Sequence, residues 1–355
     1  MALTDYVTLG RSGLRVSPTC LGTMTFGSET GWGMEEGEAR AVFDLYCDEG
    51  GNFFDCANSY AGGTSERMLG AFVKARGVRD RAVIATKFTR CVEPGNPNAV
   101  GNGRKALMLS LDQSLQRLQT DYVDLYWMHS WDALTPAEEV MDALDGLVKA
   151  GKIRYYGLSD VPAWYAARLY TLAEQGGRNR PIALQMEYSL IERGIEREHL
   201  PAMQEMGMAL CAWSPTSSGF LAGKYRRDAG GVLGEGRMTS NPMLQDRLSD
   251  PRNWKILDVV MAVARELGQS PVKVALNWAS TQPGSTSPII GARSVAQLGE
   301  NLDAGGFAIP PELRRQLDDV SALAPIHPYL MFQSPITEFL AGGSMTRPWM
   351  PERLG

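Results

Sequence analysis

The stretch NFFDCANSYAGGTSERMLGAFVKARGVRDRAVIATKF, residues 52–88, runs from strand to helix to strand with little between them. Phe53 and Phe54, flanked by the turn-forming Gly51 and Asn52, read as a short buried strand. Met68, Leu69, Phe72 and Val73 then share one helical face, with Ser65 as the expected N-cap and Gly77 as the stop. AVIATKF, residues 82–88, is a second short apolar run. Strands of this kind belong in a parallel sheet covered on both faces.

Outward from this unit the pattern repeats. Short apolar runs occur at PTCLGTM (18–24), YVDLYWMH (122–129), KIRYYGLS (152–159), IALQMEY (182–188), MALCAWSP (208–215) and SPIIGA (287–292), with helical patterns between them. Thr135 and Pro136 open one of these helices, and Asp160 to Pro162 another. Eight such units without a composition break favour an α/β fold of the closed (β/α)8 TIM-barrel type, as a single domain over 1–355. An open doubly wound sheet is the alternative that the count leaves standing. A β-hairpin around LGRSGLRV (9–16) precedes the first unit. Residues 223–251, a long loop after strand seven, exceed an ordinary connection and are expected to form a lid. The tail 326–355 lacks periodicity and is expected to cover the barrel or to make an oligomer contact, so a homo-oligomer stays open.

With 355 residues, 44% of them apolar, the chain can bury a full core. Its 35 basic and 40 acidic residues are interspersed and leave a net charge of −5, which argues against nucleic acid or an anionic membrane as partner. Cys20, Cys47, Cys56, Cys91 and Cys211 stand singly, so reduced core thiols are expected and no metal site. MALTDYVTLG at the start has no signal pattern, and no apolar run approaches the ~18 residues of a membrane span, so a cytoplasmic location is expected.

Barrel enzymes carry their chemistry at the C-terminal ends of the strands. There the sequence puts Asp55 after strand two with Tyr60 in the next loop, Lys87 at the end of strand three and His129 at the end of strand four. Each alone is ordinarily a rim charge or a packed ring; four from three consecutive strands make a candidate catalytic set. No Ser or Cys nucleophile stands in a recognisable setting, and Lys and Tyr bind divalent metals reluctantly. A phenol, with a reference pKa of ~10, can act as general acid if a neighbouring cation favours its ionised form. Lys87 would be that cation, Asp55 would hold it in place, and His129 would orient the reacting oxygen. A proton donor aimed at an oxygen in such a site fits reduction of a carbonyl by hydride from a nicotinamide.

No strand-linked G-x-G-x-x-G occurs, and GWGMEEG (31–37) has neither the preceding strand nor the spacing. Later strand ends offer another seat for a dinucleotide: Ser159 and Asp160, Gln185, then WSPTSSGFLAGKY (213–225) and IIGARSVAQLGEN (289–301). Trp213 can stack on a flat heterocycle, and Arg293 beside the helix start after Ser294 suits an anion.

These residues, together with LGRSGLRVSPTCLGTMTFG (9–27) and GARSVAQLGENL (291–302), resemble the aldo-keto reductases over nearly all of the chain except its tail. FDCANSYAGGTSERMLG (54–70) is similar to the branch that includes bacterial reductases and potassium-channel β subunits. The resemblance implies a (β/α)8 barrel that binds NADPH, with NADH as the alternative, in an extended form across the rim and delivers its pro-R hydride to an aldehyde or ketone. It assigns Tyr60 as acid, Lys87 and Asp55 as its modulators, and His129 to the carbonyl. By the same resemblance Gly22, Thr23 and Met24 lie beside the nicotinamide, Ser159, Asp160 and Gln185 hold its carboxamide, and Trp213 stacks on the ring. Ser214, Pro215, Thr216, Ser218, Gly219 and Lys224 line the pyrophosphate, while Gly291, Arg293, Gln297 and Asn301 surround the adenosine. Asp160 departs from the Asn of many members, so the carboxamide would rest more on Ser159 and Gln185. A regulatory subunit of the channel-β type, with little turnover, is the alternative function. Trp32, Trp127 and Trp131, with Met24 and Tyr60, are expected to line the pocket of a small-molecule carbonyl: a sugar, a simple aldehyde or a natural-product ketone.

Overall fold

The computed structural model describes residues 2–342 apart from 229, 230, 235, 236, 241, 333 and 341. A hairpin of β1 (Val7–Thr8) and β2 (Arg15–Val16) leads into strands β3 (Cys20–Gly22), β4 (Phe53–Asp55), β5 (Val83–Phe88), β6 (Val123–Met128), β7 (Ile153–Ser159), β8 (Ala183–Glu187) and β9 (Ala209–Trp213). The eighth barrel strand follows the excursion hairpin β10 (Arg226–Asp228) and β11 (Gly231–Leu233) and is β12 (Ile289–Ile290). The sheet runs β12, β3, β4, β5, β6, β7, β8, β9, parallel throughout. Leu210 joins its two edges: its N–H donates to Gly284 O at 3.2 Å and its carbonyl accepts from Thr286 N at 3.0 Å. The fold is therefore the (β/α)8 barrel, and the open sheet is set aside.

Helices α1 (Glu36–Asp48), α2 (Thr64–Arg76), α3 (Arg104–Leu118), α4 (Ala137–Lys149), α5 (Ala163–Gln175) and α6 (His199–Met206) follow β3 to β8 in turn. The excursion adds α7 (Arg237–Ser240) and α8 (Pro242–Ser249); then come α9 (Pro251–Leu267), α10 (Pro271–Ser280), α11 (Val295–Leu302) and α12 (Pro311–Ser321). The expected N-cap at Ser65 is not one. Gly63, at φ 90°, precedes α2, and Ser65 lies inside the helix, fully buried, its hydroxyl donating to Thr23 O at 2.7 Å. Gly77 does close α2 in the left-handed region, and Ser294 caps α11 by accepting from Gln297 N.

Period-two alternation divides each strand between two cores. Phe54, Ile84, Tyr126 and Met128 face outward into the helices, where Phe54 stacks on Phe43 at 5.2 Å. Phe53, Val83, Ala85, Leu125 and Trp127 face the barrel interior with Ala183, Ala209 and Cys211, and Leu9 and Val16 of the hairpin loop and strand pack into the same cluster. The hairpin thus plugs the N-terminal end, and polar inward residues collect at the other end.

The long loop after strand seven holds a hairpin and two short helices, pinned to the rim where Arg247 of α8 makes a two-pronged ion pair with Glu187, one contact being Nη2–Oε2 at 2.7 Å. In the tail, a turn at Tyr329–Phe332 and α13 (Ile336–Leu340) bear exposed Phe332, Phe339 and Leu340, while 343–355 lie outside the described residues. The expectation of core thiols holds for Cys20, Cys56 and Cys211; Cys47 is half-buried and Cys91 is exposed. No helix among the described residues is long and apolar enough to cross a membrane.

Candidate active site

Alternation carries Asp55 and Lys87 inward on the same faces as Phe53 and Val83. Lys87 is fully buried, and its ammonium uses three donors: Asp55 Oδ2 at 2.5 Å, Cys56 O at 2.8 Å and Tyr60 Oη at 3.0 Å. Burial by itself favours the neutral amine, but Asp55 and then Tyr60 outweigh it and hold Lys87 charged, above its usual range. The other oxygen of Asp55 accepts from Gln185 Nε2 at 2.9 Å.

Ala61, Gly62 and Gly63, all at positive φ, turn the chain sharply after Tyr60 and start α2. The phenol is thereby brought onto the Lys87 ammonium. Burial raises the Tyr60 pKa, Lys87 pulls against it, and the net direction is upward. The cation eases ionisation as the sequence implies, but it does not win. Tyr60 therefore keeps its proton at neutral pH.

His129 follows β6, its ring edge-on to Tyr60 with centroids 6.0 Å apart. Neither ring nitrogen has a hydrogen-bond partner among the described residues, and Nδ1 is buried. Burial first, then the charges of Lys87 and Arg90, push its pKa down to about 2, so the ring is neutral. Its backbone N–H donates to Thr89 Oγ1 at 3.2 Å, and that hydroxyl donates to Asn102 Oδ1 at 2.6 Å. Thr89 has φ 92°, a costly conformation for a β-branched residue, on the order of 1–3 kcal/mol.

The residues proposed from sequence for a dinucleotide fall into two groups on this rim. Asp160, Gln185 and Trp213 meet directly: Asp160 N–H donates to Gln185 O at 3.2 Å, and Trp213 Nε1 donates to Asp160 Oδ1 at 3.0 Å. Burial raises the Asp160 pKa, against the hydrogen bond from Trp213. Ser159 is buried beside them. The loop beyond β9 is tightly wound, with Ser214, Ser217 and Ser218 at φ 54°, 48° and 54° and Gly219 at 84°. Pro215 is buried under it, Thr216 is half-buried, and the exposed Lys224 folds back over Gly219. In the second group Arg293 is exposed at the start of α11, its N–H donating to Gln297 Oε1 at 2.9 Å, and Asn301 Nδ2 donates to Gly291 O at 3.1 Å.

Gly22, Thr23 and Met24 end β3 at the same rim. Met24 is exposed, but Gly22 and Thr23 are buried, and Thr23 spends its N–H and hydroxyl on Asp55 O at 2.9 and 3.2 Å. Thr23 thus offers no surface to a nicotinamide; it braces Asp55. Of the three tryptophans expected in the pocket, Trp32 and Trp131 are half-buried on rim loops. Trp127 is a correction: it is fully buried in the barrel interior against Gly157, where an added Cβ would lie 2.3 Å from its ring. The same alternation that turns His129 inward turns Trp127 inward one layer deeper, where no ligand reaches it.

Sequence reasoning missed Arg90, three residues past Lys87, and Trp164 at the start of α5, which with Trp131 and Tyr165 forms an aromatic cluster. Their position just beyond strand ends was the only available signal. It also missed that Glu187 ends β8 beneath Arg247, since that contact spans 60 residues.

Asp132 in the loop after β6 accepts from Asn102 N and Thr135 Oγ1, and no group of His, Cys, Asp and Glu among the described residues could hold a metal ion. Buried Asp55 and Lys87, with the half-buried Tyr60 phenol on the ammonium and a neutral histidine edge-on to it at the C-terminal rim of a barrel, make an arrangement that can transfer a proton. The profile of the Aldo/keto reductase family matches residues 18–322. The chain is 35% identical over 326 residues to an uncharacterized oxidoreductase of Bacillus subtilis, covering 89% of this chain and 95% of that one. It is 34% identical over 339 residues to an aryl-alcohol dehydrogenase (NADP(+)) of Phanerodontia chrysosporium, covering 90% and 86%. It is also 34% identical over 339 residues to a norsolorinic acid reductase of Aspergillus flavus, covering 92% and 84%. With the barrel, the site and these matches in agreement, the chain belongs to the aldo/keto reductase family.

Proposed function

We propose that the protein is an NADPH-dependent reductase of aldehydes or ketones, with Tyr60 as general acid, and that its substrates carry an aromatic ring. The observation that carries the reading is the Lys87 ammonium, held between Asp55 at 2.5 Å and Tyr60 Oη at 3.0 Å. The names of the aryl-alcohol dehydrogenase and the norsolorinic acid reductase support it, as does the aromatic cluster beyond the ends of β6 and β7, where Trp131 and Trp164 stand edge-on at 5.5 Å.

The rim suits a dinucleotide chemically. A flat indole at Trp213, hydroxyls on a wound loop at Ser214, Thr216 and Ser218, and exposed cations at Lys224 and Arg293 match a heterocycle, a pyrophosphate and a phosphorylated ribose. Ser159, Asp160 and the side-chain oxygen Oε1 of Gln185 would hold the carboxamide; the Gln185 amide nitrogen is already given to Asp55. When bound, the nicotinamide supplies the hydride.

The chain's own residues manage the proton. Tyr60, kept neutral by burial, gives its phenolic proton to the substrate oxygen as that oxygen gains charge. Lys87, already charged and desolvated, then faces the phenolate at hydrogen-bond distance without reorganising. Asp55 fixes the ammonium, and Gln185 and Thr23 fix Asp55. Neutral His129, with its ring nitrogens unengaged, is available to the same oxygen and orients it.

Tyr60→Phe keeps the ring and removes the acid. Reduction of benzaldehyde derivatives, followed as loss of NADPH absorbance, should fall by about 10²- to 10⁴-fold, while cofactor binding, read by quenching of tryptophan fluorescence, persists. Turnover at the parental rate would mean that another group is the acid.

A further inference from the structure

The loop after β5 carries a cation for which the proton chemistry has no use. Arg90 is exposed, and its guanidinium has neither ion pair nor hydrogen bond among the described residues. Its backbone, in contrast, is fixed from both sides. Asn58, two residues before Tyr60, donates through Nδ2 to Arg90 O at 3.4 Å and to Ser110 Oγ at 2.8 Å. On the other side Thr89, at φ 92°, accepts from His129 N, and its carbonyl accepts from Gly101 N at 2.8 Å. Arg90 therefore springs from a strained point between the loop that bears Tyr60 and the strand end that bears His129. Its charge reaches into the site, where it helps to hold His129 neutral behind burial and Lys87, and where it acts on Asp160 against the effect of burial.

The carboxylates of this rim are already engaged. Asp160 accepts from Trp213 Nε1, Glu187 is gripped by Arg247, and Asp132 accepts from Asn102 N, Leu134 N and Thr135. Arg90 has no such partner among the described residues, and unlike Lys224 and Arg293 it is not used by the cofactor reading. Past His129, Trp131 is tied to the same region through its N–H on Asp160 O at 3.3 Å, and it meets Trp164, which is 56% exposed, and buried Tyr165 at 6.3 Å. An exposed indole held edge-on by two other rings presents a flat apolar wall to solvent, and a ring can stack there at small entropic cost.

We propose that Arg90 and the Trp131–Trp164 wall form a subsite that selects anionic aromatic carbonyl compounds, the wall taking the ring and the guanidinium a carboxylate or ionised phenol remote from the reacting carbonyl. The proposal rests on the reading of the protein as a reductase and names the substrate class within it. A guanidinium suits such a group because its planar fork meets two oxygens at once. Partial exposure lowers the strength of the pair, so it sets preference among aldehydes and leaves the proton transfer to Tyr60.

Two aldehydes that share ring and carbonyl but differ in charge test this: 4-formylbenzoate and its methyl ester. The ratio of kcat/KM for the anion to that for the ester should fall roughly tenfold in Arg90→Gln, further in Arg90→Glu, and only partly in Arg90→Lys. A ratio unchanged across these variants overturns the subsite and leaves the reductase reading intact. Binding without turnover separates the two further. Terephthalate should quench indole fluorescence at lower concentration than its dimethyl ester, and Arg90→Gln should remove that difference. If neither aldehyde is reduced but the charge-dependent quenching is present, the subsite stands and the reaction class falls. If quenching is the same for the acid, the ester and the variant, the subsite falls.

Discussion

The two ends of the barrel interior are built from the same strands. Toward the N-terminal end β4, β5 and β6 turn Phe53, Val83 and Leu125 inward, and the hairpin residues Leu9 and Val16 close over them; toward the other end the same faces bring Asp55, Lys87 and, just past β6, His129. At the plugged end each buried side chain is stabilised by leaving water, about 1.5–3 kcal/mol for a large apolar group. At the open end a buried ammonium and carboxylate have lost their hydration, and their mutual contact, the ammonium's bonds to Cys56 O and Tyr60 Oη and the carboxylate's bond from Gln185 offset the loss. One end holds the strands in register, and the other uses that rigidity to keep an otherwise unfavourable cluster in place.

The largest expected effect separates the ends directly. Lys87→Met leaves Asp55 buried without its counter-charge and should cost about 3–5 kcal/mol in urea unfolding, with carbonyl reduction lost as well. Phe53→Ala, two residues before Asp55 on the same face, should cost a similar 3–5 kcal/mol through the cavity it leaves, yet the folded fraction should keep its kcat. Adding Asp55→Asn to Lys87→Met should restore much of the stability and none of the activity. If Phe53→Ala lowers kcat as steeply as Lys87→Met, the division between a supporting end and a reacting end is wrong.

This division also explains what could be read from sequence. The strands were legible because both of their faces are apolar, and the expected runs overlap the observed β3 to β9 and β12 with boundaries shifted by only a few residues. Asp55, Lys87 and His129 were legible because each interrupts or ends such a run with a group that burial penalises. Ser65 misled because a serine at a helix start is ordinarily a cap; here the hydroxyl is turned inward to bridge Thr23 and Cys56. Trp127 misled because neighbours in sequence are not neighbours in depth inside a barrel. Arg247 on Glu187 and the hairpin within 223–251 had no local signature, since a polar excursion takes its shape from the surface it lands on. Arg90 was invisible for the same reason: an exposed arginine becomes distinctive only when the strain at Thr89 and the bond from Asn58 are known.

A smaller effect sharpens the comparison within the open end. At the start of α11 Arg293 is exposed, and among the described residues only its backbone N–H is engaged, by Gln297. Arg293→Ala should weaken NADPH by about 1.5–3 kcal/mol, the scale of hydrogen bonds to a charged group, and should hardly change NADH or the unfolding midpoint. Cofactor titration by fluorescence measures both affinities. Equal losses for NADPH and NADH would remove Arg293 from recognition of a 2′-phosphate and return cofactor preference to Lys224 and its loop.

The smallest effect asks how dry the open end is. Burial, with Lys87 and Arg90 behind it, lowers the His129 pKa from an ordinary 6.5 to about 2, so the folded ring stays neutral where the unfolded ring takes a proton. Between those values the unfolded state binds more protons, and stability therefore falls as pH falls below about 6.5. Above 6.5 the ring is neutral in both states and contributes no slope. Between pH 7 and 5.5 the loss due to this ring is about 1.3 kcal/mol, and His129→Gln should lack it, while losses from other groups remain common to both proteins. Urea midpoints of the two proteins at pH 7 and 5.5 give the difference. Parallel midpoints would mean that the folded ring takes up a proton beside the Lys87 ammonium, which requires water to reach both. The open end would then resemble an ordinary solvated rim, and the contrast with the plugged end would shrink to one of composition.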